Sequence, residues 1–354
     1  MSRRKTSGGR RLQRQRLIDR GLPLRTDDRA RYTEAFSAFA GSHCRGGMAW
    51  SRTVKLQMNW RSLYPFRSHW HTRDNVRMHY VDEGAIGGDT LLFVHGNPTW
   101  SFLWRNLIIP LSEQARTIAI DHVGCGLSDK PQRYPYHLAQ HTGNLIDFIE
   151  RKDLQNVTLV AHDWGGPIGL GAALALRDRF VRLVLLNTGA FPPPFFPWRI
   201  RVCRTPLLGR IAVQRFNLFA RAAIRMAVEN HERMTPEIKA GMLYPYDSWS
   251  HRRAIYEFVR DIPAGPRHPT HQRLENLEQQ LPHLADLPTL LLWGMRDWCF
   301  RPECLTRLET LLPQARSVQL AEAGHWCVED AHEEIVSEIR QWINEHPLAQ
   351  ESRL

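Results

Sequence analysis

The stretch that decides the fold is LVAHDWGGPIG, residues 159–169, in which an apolar run leads directly into a glycine-rich segment. A strand that ends at His162, one intervening residue and an immediate helix are the context of a nucleophile elbow, whose tight turn needs small neighbours such as Ala161 and Gly165. Asp163 occupies the position where the common pattern has serine. We predict that Asp163 is a nucleophile whose carboxylate is kept ionised by the helix dipole and free amides. The alternative is an aspartate that caps an ordinary turn.

A carboxylate nucleophile forms an ester with its substrate, and water must be activated to cleave that ester. This chemistry needs a histidine and an acid that orients it, in the chain order nucleophile, acid, histidine. His325, in AEAGHWC after a strand predicted at 317–321, is the candidate base. Asp297, in GMRDW after a strand predicted at 289–293, is the candidate acid, because the strand predicted at 181–186 is followed by NTG and offers no carboxylate. A structural histidine and a surface-turn aspartate are the respective alternatives.

The loop HGNP, residues 95–98, follows a strand predicted to end at its first residue. In this architecture such a loop gives one backbone N–H to an oxyanion hole and the residue after the nucleophile gives the other, here Asn97 and Trp164. The indole N–H of Trp164 and the side-chain amide of Asn97 are also neutral donors beside the nucleophile. They suit a leaving anion that is not protonated, such as halide. The alternative is that Trp164 only packs and Asn97 forms a turn.

Strand-like and helical segments alternate from Trp60 onward, and the strands are continuous apolar runs. This pattern favours right-handed βαβ units and a mostly parallel sheet that is covered on both faces. Residues 190–285, which open with FPPPFFPW, interrupt the alternation and have helical patterns. We predict that they form a helical cap over the carboxyl ends of the strands, where open α/β sheets bind ligands. The expected α/β core then comprises residues 58–189 and 286–354.

Most of the positive charge belongs to the N-terminal segment. Residues 1–50 hold 12 of the 47 Lys and Arg residues and four of the 36 acidic residues, so they carry a net charge of +8 out of +11. We predict a basic, disordered extension over residues 1–57; a misassigned translation start, with Met48 or Met58 as the true one, is the other open interpretation. Nucleic acid is not expected as a partner, because no aromatic-interleaved binding module accompanies the arginines.

The composition excludes several protein classes. The mean hydropathy is −0.41, and the longest apolar runs fall far short of the roughly 20 residues that a membrane helix needs. Six irregularly spaced cysteines favour a reducing compartment, so we expect a soluble, cytoplasmic protein. The sequence has no GxGxxG or P-loop motif and no convincing metal-ligand spacing, so neither a cofactor nor a metal is expected.

The segment from about Trp60 to Ile343 resembles the α/β-hydrolase superfamily and, within it, the haloalkane dehalogenases. Three motifs carry the resemblance: HGNPTWSFLWR (95–105), DHVGCGLSDKP (121–131) and HDWGG (162–166). The resemblance implies an α/β-hydrolase fold with an eight-stranded, mostly parallel sheet, an inserted helical cap and no cofactor.

The same resemblance implies roles for five residues. Asp163 would be the nucleophile, Asp297 the acid and His325 the base, while Asn97 and Trp164 would bind halide. The implied reaction cleaves a carbon–halogen bond of a small hydrophobic substrate through an alkyl-enzyme ester and gives an alcohol and a halide ion.

A second resemblance is to the β-lactone decarboxylases of bacterial long-chain olefin biosynthesis. It is carried by PYDSW (245–249), VRDIP (259–263), WGMRDWCF (293–300) and the FPPPFF that opens the cap. These enzymes share the five site residues with one dehalogenase subfamily, so the five do not separate the two activities. Formation of long-chain alkenes is therefore the alternative function.

Two further alternatives carry less weight. Epoxide hydrolases, a third related family, would need cap tyrosines, for which Tyr244 and Tyr246 are candidates, but Asn97 departs from the aromatic residue usual in that motif. Some α/β-hydrolase folds are binding proteins without catalysis. Those typically lack a member of the triad, and this sequence has all three.

Overall fold

The computed structural model describes residues 60–348 of the 354-residue chain. The predicted extension over residues 1–57, including the alternative start at Met48, lies outside the described residues, as does Met58. None of the helices within residues 60–348 is both long enough and apolar enough to cross a membrane.

An eight-stranded, mostly parallel sheet forms the centre of the described segment, as predicted. Its strand order is β1-β2-β4-β3-β5-β6-β7-β8, with the β1–β2 and β2–β4 pairs antiparallel and the other pairs parallel. The strands are β1 (His69–Arg73), β2 (Val76–Glu83), β3 (Thr90–Val94), β4 (Arg116–Ile120), β5 (Val157–Asp163), β6 (Phe180–Thr188), β7 (Thr289–Gly294) and β8 (Arg316–Leu320).

Apolar residues from both faces of the sheet enter two separate packed layers. Along β5, Leu159 and Ala161 belong to one hydrophobic cluster and Val160 belongs to the other. Successive side chains of a strand point to opposite faces, so a strand that is buried on both sides is apolar throughout. This is why the central strands are continuous apolar runs rather than alternating ones.

Helices cover both faces of the sheet and fill the connections. They are α1 (Arg105–Leu111), α2 (Leu138–Arg151), α3 (Gly165–Ala175), α4 (Trp198–Cys203), α5 (Leu208–Arg210), α6 (Leu218–Met226), α7 (Pro236–Leu243), α8 (Arg253–Asp261), α9 (Pro269–Gln280), α10 (Pro302–Leu311), α11 (Cys327–Asp330) and α12 (His332–Glu345). Short 3₁₀ turns lie at Ser101–Trp104, Arg177–Arg179, Ser250–Arg252 and Leu281–Leu284, and a π-helical turn lies at Ile211–Arg215.

The segment between β6 and β7 contains helices and no strand of the sheet. We name residues 190–285 the cap segment. The single helix predicted over residues 207–228 is wrong, because α5 and the π-helical turn are separated from α6 by Asn217, which has a φ of +54°. Asparagine tolerates this left-handed conformation better than most residues, and a left-handed residue interrupts a helix.

Candidate active site

The chain makes its sharpest bend at Asp163, the last residue of β5. Asp163 has a φ of +53°, a left-handed conformation that is uncommon outside glycine. Helix α3 begins two residues later at Gly165, where a Cβ atom would lie 1.9 Å from the carbonyl oxygen of Val94. Only glycine allows α3 to start so close to the end of β3. The predicted strand–turn–helix context is therefore present, with the strand extended by one residue to Asp163 itself.

The carboxylate of Asp163 is held by the two backbone amides that the sequence predicts. The N–H of Asn97 donates to Oδ1 at 2.6 Å, and the N–H of Trp164 also donates to this side chain. The loop before Asn97 fits tightly, since a Cβ at Gly96 would lie 2.0 Å from Oδ1. Oδ1 is thus fixed by the Asn97 amide, whereas Oδ2 is the oxygen that faces His325.

Burial raises the pKa of Asp163 above its ordinary value, against the lowering effects of His325 and of the amides of Asn97 and Trp164. The predicted amide contacts are present, but they do not set the direction of the shift. Only 7% of the Asp163 surface is exposed, so the loss of hydration is the larger effect.

Asp297 and His325 come together beside Asp163. The Nδ1–H of His325 donates to Oδ2 of Asp297 at 2.8 Å, and the opposite nitrogen, Nε2, lies 3.7 Å from Oδ2 of Asp163. The second distance is longer than a hydrogen bond but close enough for charge attraction. The structure thus brings together the three residues that the sequence selects, in the geometry of a nucleophile, a base and an orienting acid.

The charges around His325 favour its protonated form. Burial by itself lowers the pKa of His325, but Asp297, through its charge and its hydrogen bond, and then Asp163 raise the pKa above the ordinary 6.5 overall. The phenyl ring of Phe300 stacks on the imidazole, with the ring centroids 5.7 Å apart. The imidazole thus has a carboxylate beside each of its two nitrogens and the ring of Phe300 against one face.

Asn187 supports Asp297, although in the sequence it marks only a strand end without a carboxylate. Its Nδ2–H₂ group donates to Oδ2 of Asp297 and to the carbonyl of Gly294, each at 3.0 Å. Its Oδ1 accepts the N–H of Gly294 at 2.8 Å. The N–H of Cys299 donates to the other oxygen of Asp297 at 2.6 Å. The signal that could have identified Asn187 is its position at the end of β6, the strand adjacent to β7.

Two further contacts fix the loop that carries His325. The Nε2–H of His162 donates to the main-chain carbonyl of His325 at 2.8 Å; burial lowers the pKa of His162 well below its ordinary value, so this imidazole is neutral. Below the loop, Arg105 and Glu329 form a bidentate ion pair at 2.6 and 2.8 Å, with both side chains almost fully buried. The loop is therefore tied to β5 and to α1.

A cavity of about 250 Å³ lies above these residues. Asn97, Asp163, Trp164 and His325 contribute to its lining. Most of the remaining lining is apolar and includes Phe191, Phe195, Phe196, Leu218, Phe219, Met226, Leu274, Trp298 and Phe300. Such a cavity favours an apolar substrate whose reacting carbon meets the one carboxylate on its floor.

Two hydrogen bonds fasten the end of α6, in the cap segment, to the loops of the site. The indole N–H of Trp298 donates to the carbonyl of Met226 at 2.7 Å, and the N–H of Trp326 donates to the carbonyl of Ala227 at 2.6 Å. Both donors are next to a site residue in sequence, and both acceptors lie at the end of α6. Movement of α6 would therefore act directly on the loops of Asp297 and His325.

The predicted halide-binding residues both line the cavity. The side-chain Nδ2 of Asn97 donates to the carbonyl of Ile255 at 3.3 Å, which leaves the second hydrogen of this amide for a ligand. The Trp164 ring packs 5.6 Å from the ring of Phe258, and the residue is 9% exposed. Their role as anion donors stays a prediction.

The two cap tyrosines lie outside the lining of the cavity. Tyr246 is buried and its hydroxyl donates to the carbonyl of Thr99 at 3.0 Å. The hydroxyl of Tyr244 accepts a hydrogen bond from Arg61 at 3.2 Å, and its ring packs on Trp60. Neither hydroxyl faces the carboxylate of Asp163, so the geometry gives no support to the epoxide hydrolase alternative.

Comparison with known proteins places the chain in a family. The family model of the alpha/beta hydrolase fold matches residues 89–202 and 237–331. A cis-3-alkyl-4-alkyloxetan-2-one decarboxylase of Shewanella oneidensis is 37% identical over 290 residues, which cover 80% of this chain and 90% of that protein. The corresponding decarboxylase of Xanthomonas campestris is 38% identical over 78% of this chain and 95% of that protein.

Haloalkane dehalogenases are also similar to this chain. Haloalkane dehalogenase 2 of Mycobacterium tuberculosis is 34% identical over 78% of this chain and 95% of that protein. Among solved structures, a putative ancestral haloalkane dehalogenase has a TM-score of 0.73 at 27% identity, covering 79% of this chain and all of the other. The chain therefore belongs to the α/β-hydrolase fold family, among relatives that include both oxetanone decarboxylases and haloalkane dehalogenases.

Proposed function

We propose that this protein is an enzyme in which Asp163 attacks a cis-3,4-dialkyl oxetan-2-one, a β-lactone, and that the products are carbon dioxide and an alkene. The observation that carries the proposal is the apolar cavity that ends at one reactive carboxylate oxygen. The two decarboxylase relatives support this substrate, because their identity of 37% and 38% exceeds the 34% of the dehalogenase.

The reaction can be written with the residues in place. Oδ2 of Asp163 attacks C4 of the ring, and the C4–O1 bond breaks, so that the ring oxygen leaves as part of a carboxylate. This step also relieves the strain of the four-membered ring. Trp164 and Asn97 have neutral N–H donors beside the nucleophile, which would stabilise the new carboxylate just as they would a halide.

The second step regenerates the enzyme. The C2–C3 bond breaks and releases carbon dioxide, its electron pair forms the C3–C4 double bond, and the C4–Oδ2 ester bond breaks to return the Asp163 carboxylate. No water and no external oxidant are consumed. The pKa of His325 is raised by Asp297 and Asp163 against the effect of burial. The protonated imidazole would therefore stabilise the returning carboxylate of Asp163.

Hydrolytic dehalogenation, the first prediction from the sequence, is the second candidate. The observation that favours it is the placement of the His325 imidazole, which Asp297 orients and whose Nε2 lies 3.7 Å from Oδ2 of Asp163. In this reaction Asp163 displaces halide from a saturated carbon. His325 then activates water against the ester, and the amides of Asn97 and Trp164 hold the developing oxyanion at Oδ1.

One preparation of the full chain separates the two candidates. It is incubated with a cis-3,4-dialkyl oxetan-2-one and, separately, with 1-bromo- and 1-chloroalkanes. Gas chromatography measures the alkene and ion chromatography the halide, with Asp163→Asn as the control for both. Alkene formation that depends on Asp163, at a kcat/KM at least tenfold above that for halide release, supports the proposal. Halide release without alkene supports the second candidate. The absence of both products would contradict both candidates.

A further inference from the structure

One part of the cap segment combines exposed apolar residues with unpaired arginines. Between residues 198 and 228 the sequence has seven arginines and no acidic residue. Seven apolar residues of this stretch are exposed: Trp198, Val202, Leu207, Leu208, Ile211, Phe216 and Leu218. Six of the arginines are exposed with them: Arg199, Arg201, Arg210, Arg215, Arg221 and Arg225. We name these thirteen residues the cap face. They lie on α4, α5, the π-helical turn and α6, consecutive elements that pack on one another, and at the adjoining positions Leu207 and Phe216.

The exposure of the cap face is large for apolar side chains. Leu207, Leu208 and Trp198 are 70%, 73% and 70% exposed, respectively. Single exposed apolar residues are ordinary, but several neighbouring ones indicate an interaction surface. Within residues 60–348, the cap face is therefore a surface that has no partner for its apolar side chains.

Four of the six arginines of the cap face contact aromatic rings instead of carboxylates. None of them forms an ion pair with an acidic residue of the described segment. The guanidinium of Arg199 lies 5.7 Å from the centre of the Trp198 ring, and that of Arg215 lies 5.8 Å from the centre of the Phe216 ring. Cations beside exposed aromatic and aliphatic residues are typical of surfaces that lie in the headgroup region of a membrane.

The cap face is continuous with the cavity. Arg199 and Leu218 are exposed members of the cap face, and both also line the cavity above Asp163. An apolar molecule that reached the cap face from a lipid layer would thus be next to the cavity wall. A second copy of this chain fits the surface poorly, because a two-fold contact would place arginines against arginines.

We propose that the cap face docks on the surface of a lipid bilayer that contains anionic lipids, with its apolar side chains inserted among the headgroups and its arginines on the lipid phosphates. Docking itself does not depend on the reaction. The consequence that a dialkyl lactone passes from the bilayer into the cavity, without crossing water, does rest on the proposed function.

The first experiment measures co-sedimentation of the full chain with sucrose-loaded vesicles. Vesicles of phosphatidylcholine with 30% phosphatidylglycerol, roughly the anionic fraction needed for electrostatic attraction, are compared with pure phosphatidylcholine. The test variant is Leu207→Glu/Leu208→Glu, and the matched control is Ile86→Glu/Ile109→Glu, which changes two exposed aliphatic residues elsewhere. We expect the partition coefficient on anionic vesicles to fall at least about tenfold in the test variant and to stay within about twofold in the control.

The second experiment tests the cations. Arg201→Gln/Arg210→Gln is compared with Arg133→Gln/Arg151→Gln, which removes the same charge from outside the cap face. We expect only the first pair to weaken binding to anionic vesicles substantially, and we expect high salt to remove the difference. The basic residues 1–50 are the same in every variant, so their contribution cancels in each comparison.

Several results would overturn the proposal. One is equal binding of wild type and Leu207→Glu/Leu208→Glu; another is an equal loss in the test and control variants, which would indicate unspecific charge attraction. If the Leu207→Glu/Leu208→Glu variant differs from wild type in the molar mass measured by light scattering but not in vesicle binding, the cap face is a protein contact instead. The vesicle assay contains no substrate, so a negative result there does not bear on the proposed function. Turnover of a short-chain, water-soluble lactone tests the proposed function separately.

Discussion

The strand-end site, formed by Asp163, Asp297 and His325, and the cap face differ in the burial and pairing of their charged groups. At the strand ends Asp163, Asp297 and His325 are buried, and each has a hydrogen-bonding partner at a set distance. On the cap face the arginines are exposed and have no carboxylate partner within the described residues. Buried charge is tolerated only with specific partners, which fixes geometry, whereas exposed charge is left available for another surface. Substitutions in the two regions should therefore have very different effects.

The largest effect is expected from Asp163→Asn. It removes the proposed nucleophile, so turnover should fall on the order of 10⁴-fold or more. Stability should not fall, because burial raises the pKa of this carboxyl and its ionised form therefore destabilises the fold at neutral pH. Product formation and thermal unfolding are measured on the same sample. Retained turnover would count against Asp163 as the reacting group, and a large loss of stability would contradict the destabilising effect of its ionised form.

The next effect concerns the buried ion pair beneath the site. Glu329→Gln leaves Arg105 charged and buried, which should lower the free energy of unfolding by about 3–5 kcal/mol. The matched control is Glu322→Gln, whose exposed pair with Arg296 should contribute only about 0–1 kcal/mol. Urea unfolding measures both variants. Equal losses in the two would show that burial does not determine the strength of these pairs.

A smaller effect is expected from Asn187→Ala, which removes an amide donor from Asp297. Misplacement of the acid should lower kcat by about 10- to 100-fold. Asp297 would then interact more strongly with His325, so the acid limb of the pH–rate profile for halide release should move to higher pH. Asn187→Asp serves as the comparison, since it keeps the shape and adds charge. A kcat loss without a shift of the acid limb would indicate a role in folding alone.

The pH dependence distinguishes the chemistry. Hydrolysis of the alkyl-enzyme ester needs neutral His325. Burial lowers the pKa of this imidazole, but Asp297 and, before it is esterified, Asp163 raise the pKa above its ordinary value. The rate of hydrolysis should therefore fall when acidification protonates His325. Alkene formation has no water-activating step and should keep its rate over the same range. Steady-state halide release that does not fall on acidification would contradict a role of neutral His325 in hydrolysis.

The smallest effect is expected at the cap face in solution. Arg201→Gln and Arg210→Gln should each change the free energy of unfolding by no more than about 0.5 kcal/mol, because both residues are exposed. Denaturant unfolding without lipid measures this. A larger loss would place these arginines in the support of the cap itself and remove the contrast with the strand-end site.

The part of the site that could be predicted from sequence is the part that depends on chain-local geometry. Asp163 follows from small residues on both sides of one turn, and Asp297 and His325 follow from their places after predicted strands. Asn187 was not predicted as a partner because its role depends on the lateral contact between β6 and β7. Its amide reaches a carboxylate that follows the next strand along the sheet.

The fold likewise has elements that could be predicted from the sequence and elements that could not. The central strands were identifiable because burial on both faces makes them apolar throughout. The edge strand β1 was missed, since only His71 of its five residues is buried and it pairs with β2 alone. The predicted helix over residues 207–228 failed at Asn217, where one left-handed residue breaks a pattern that is helical on both sides. Hydrophobic periodicity along the sequence predicts which residues are buried, but it does not predict the backbone conformation of a single residue.

The bond between Arg105 and Glu329 also has a consequence for biosynthesis. The two residues are 224 positions apart, and the later one lies four residues after His325. A nascent chain from which residues 325–329 have not yet emerged leaves the guanidinium of Arg105 without its carboxylate partner, and it also lacks His325, the proposed base. The partner of the buried arginine and the proposed base therefore emerge almost together, so we expect a product that is terminated before them to be inactive and sensitive to proteolysis.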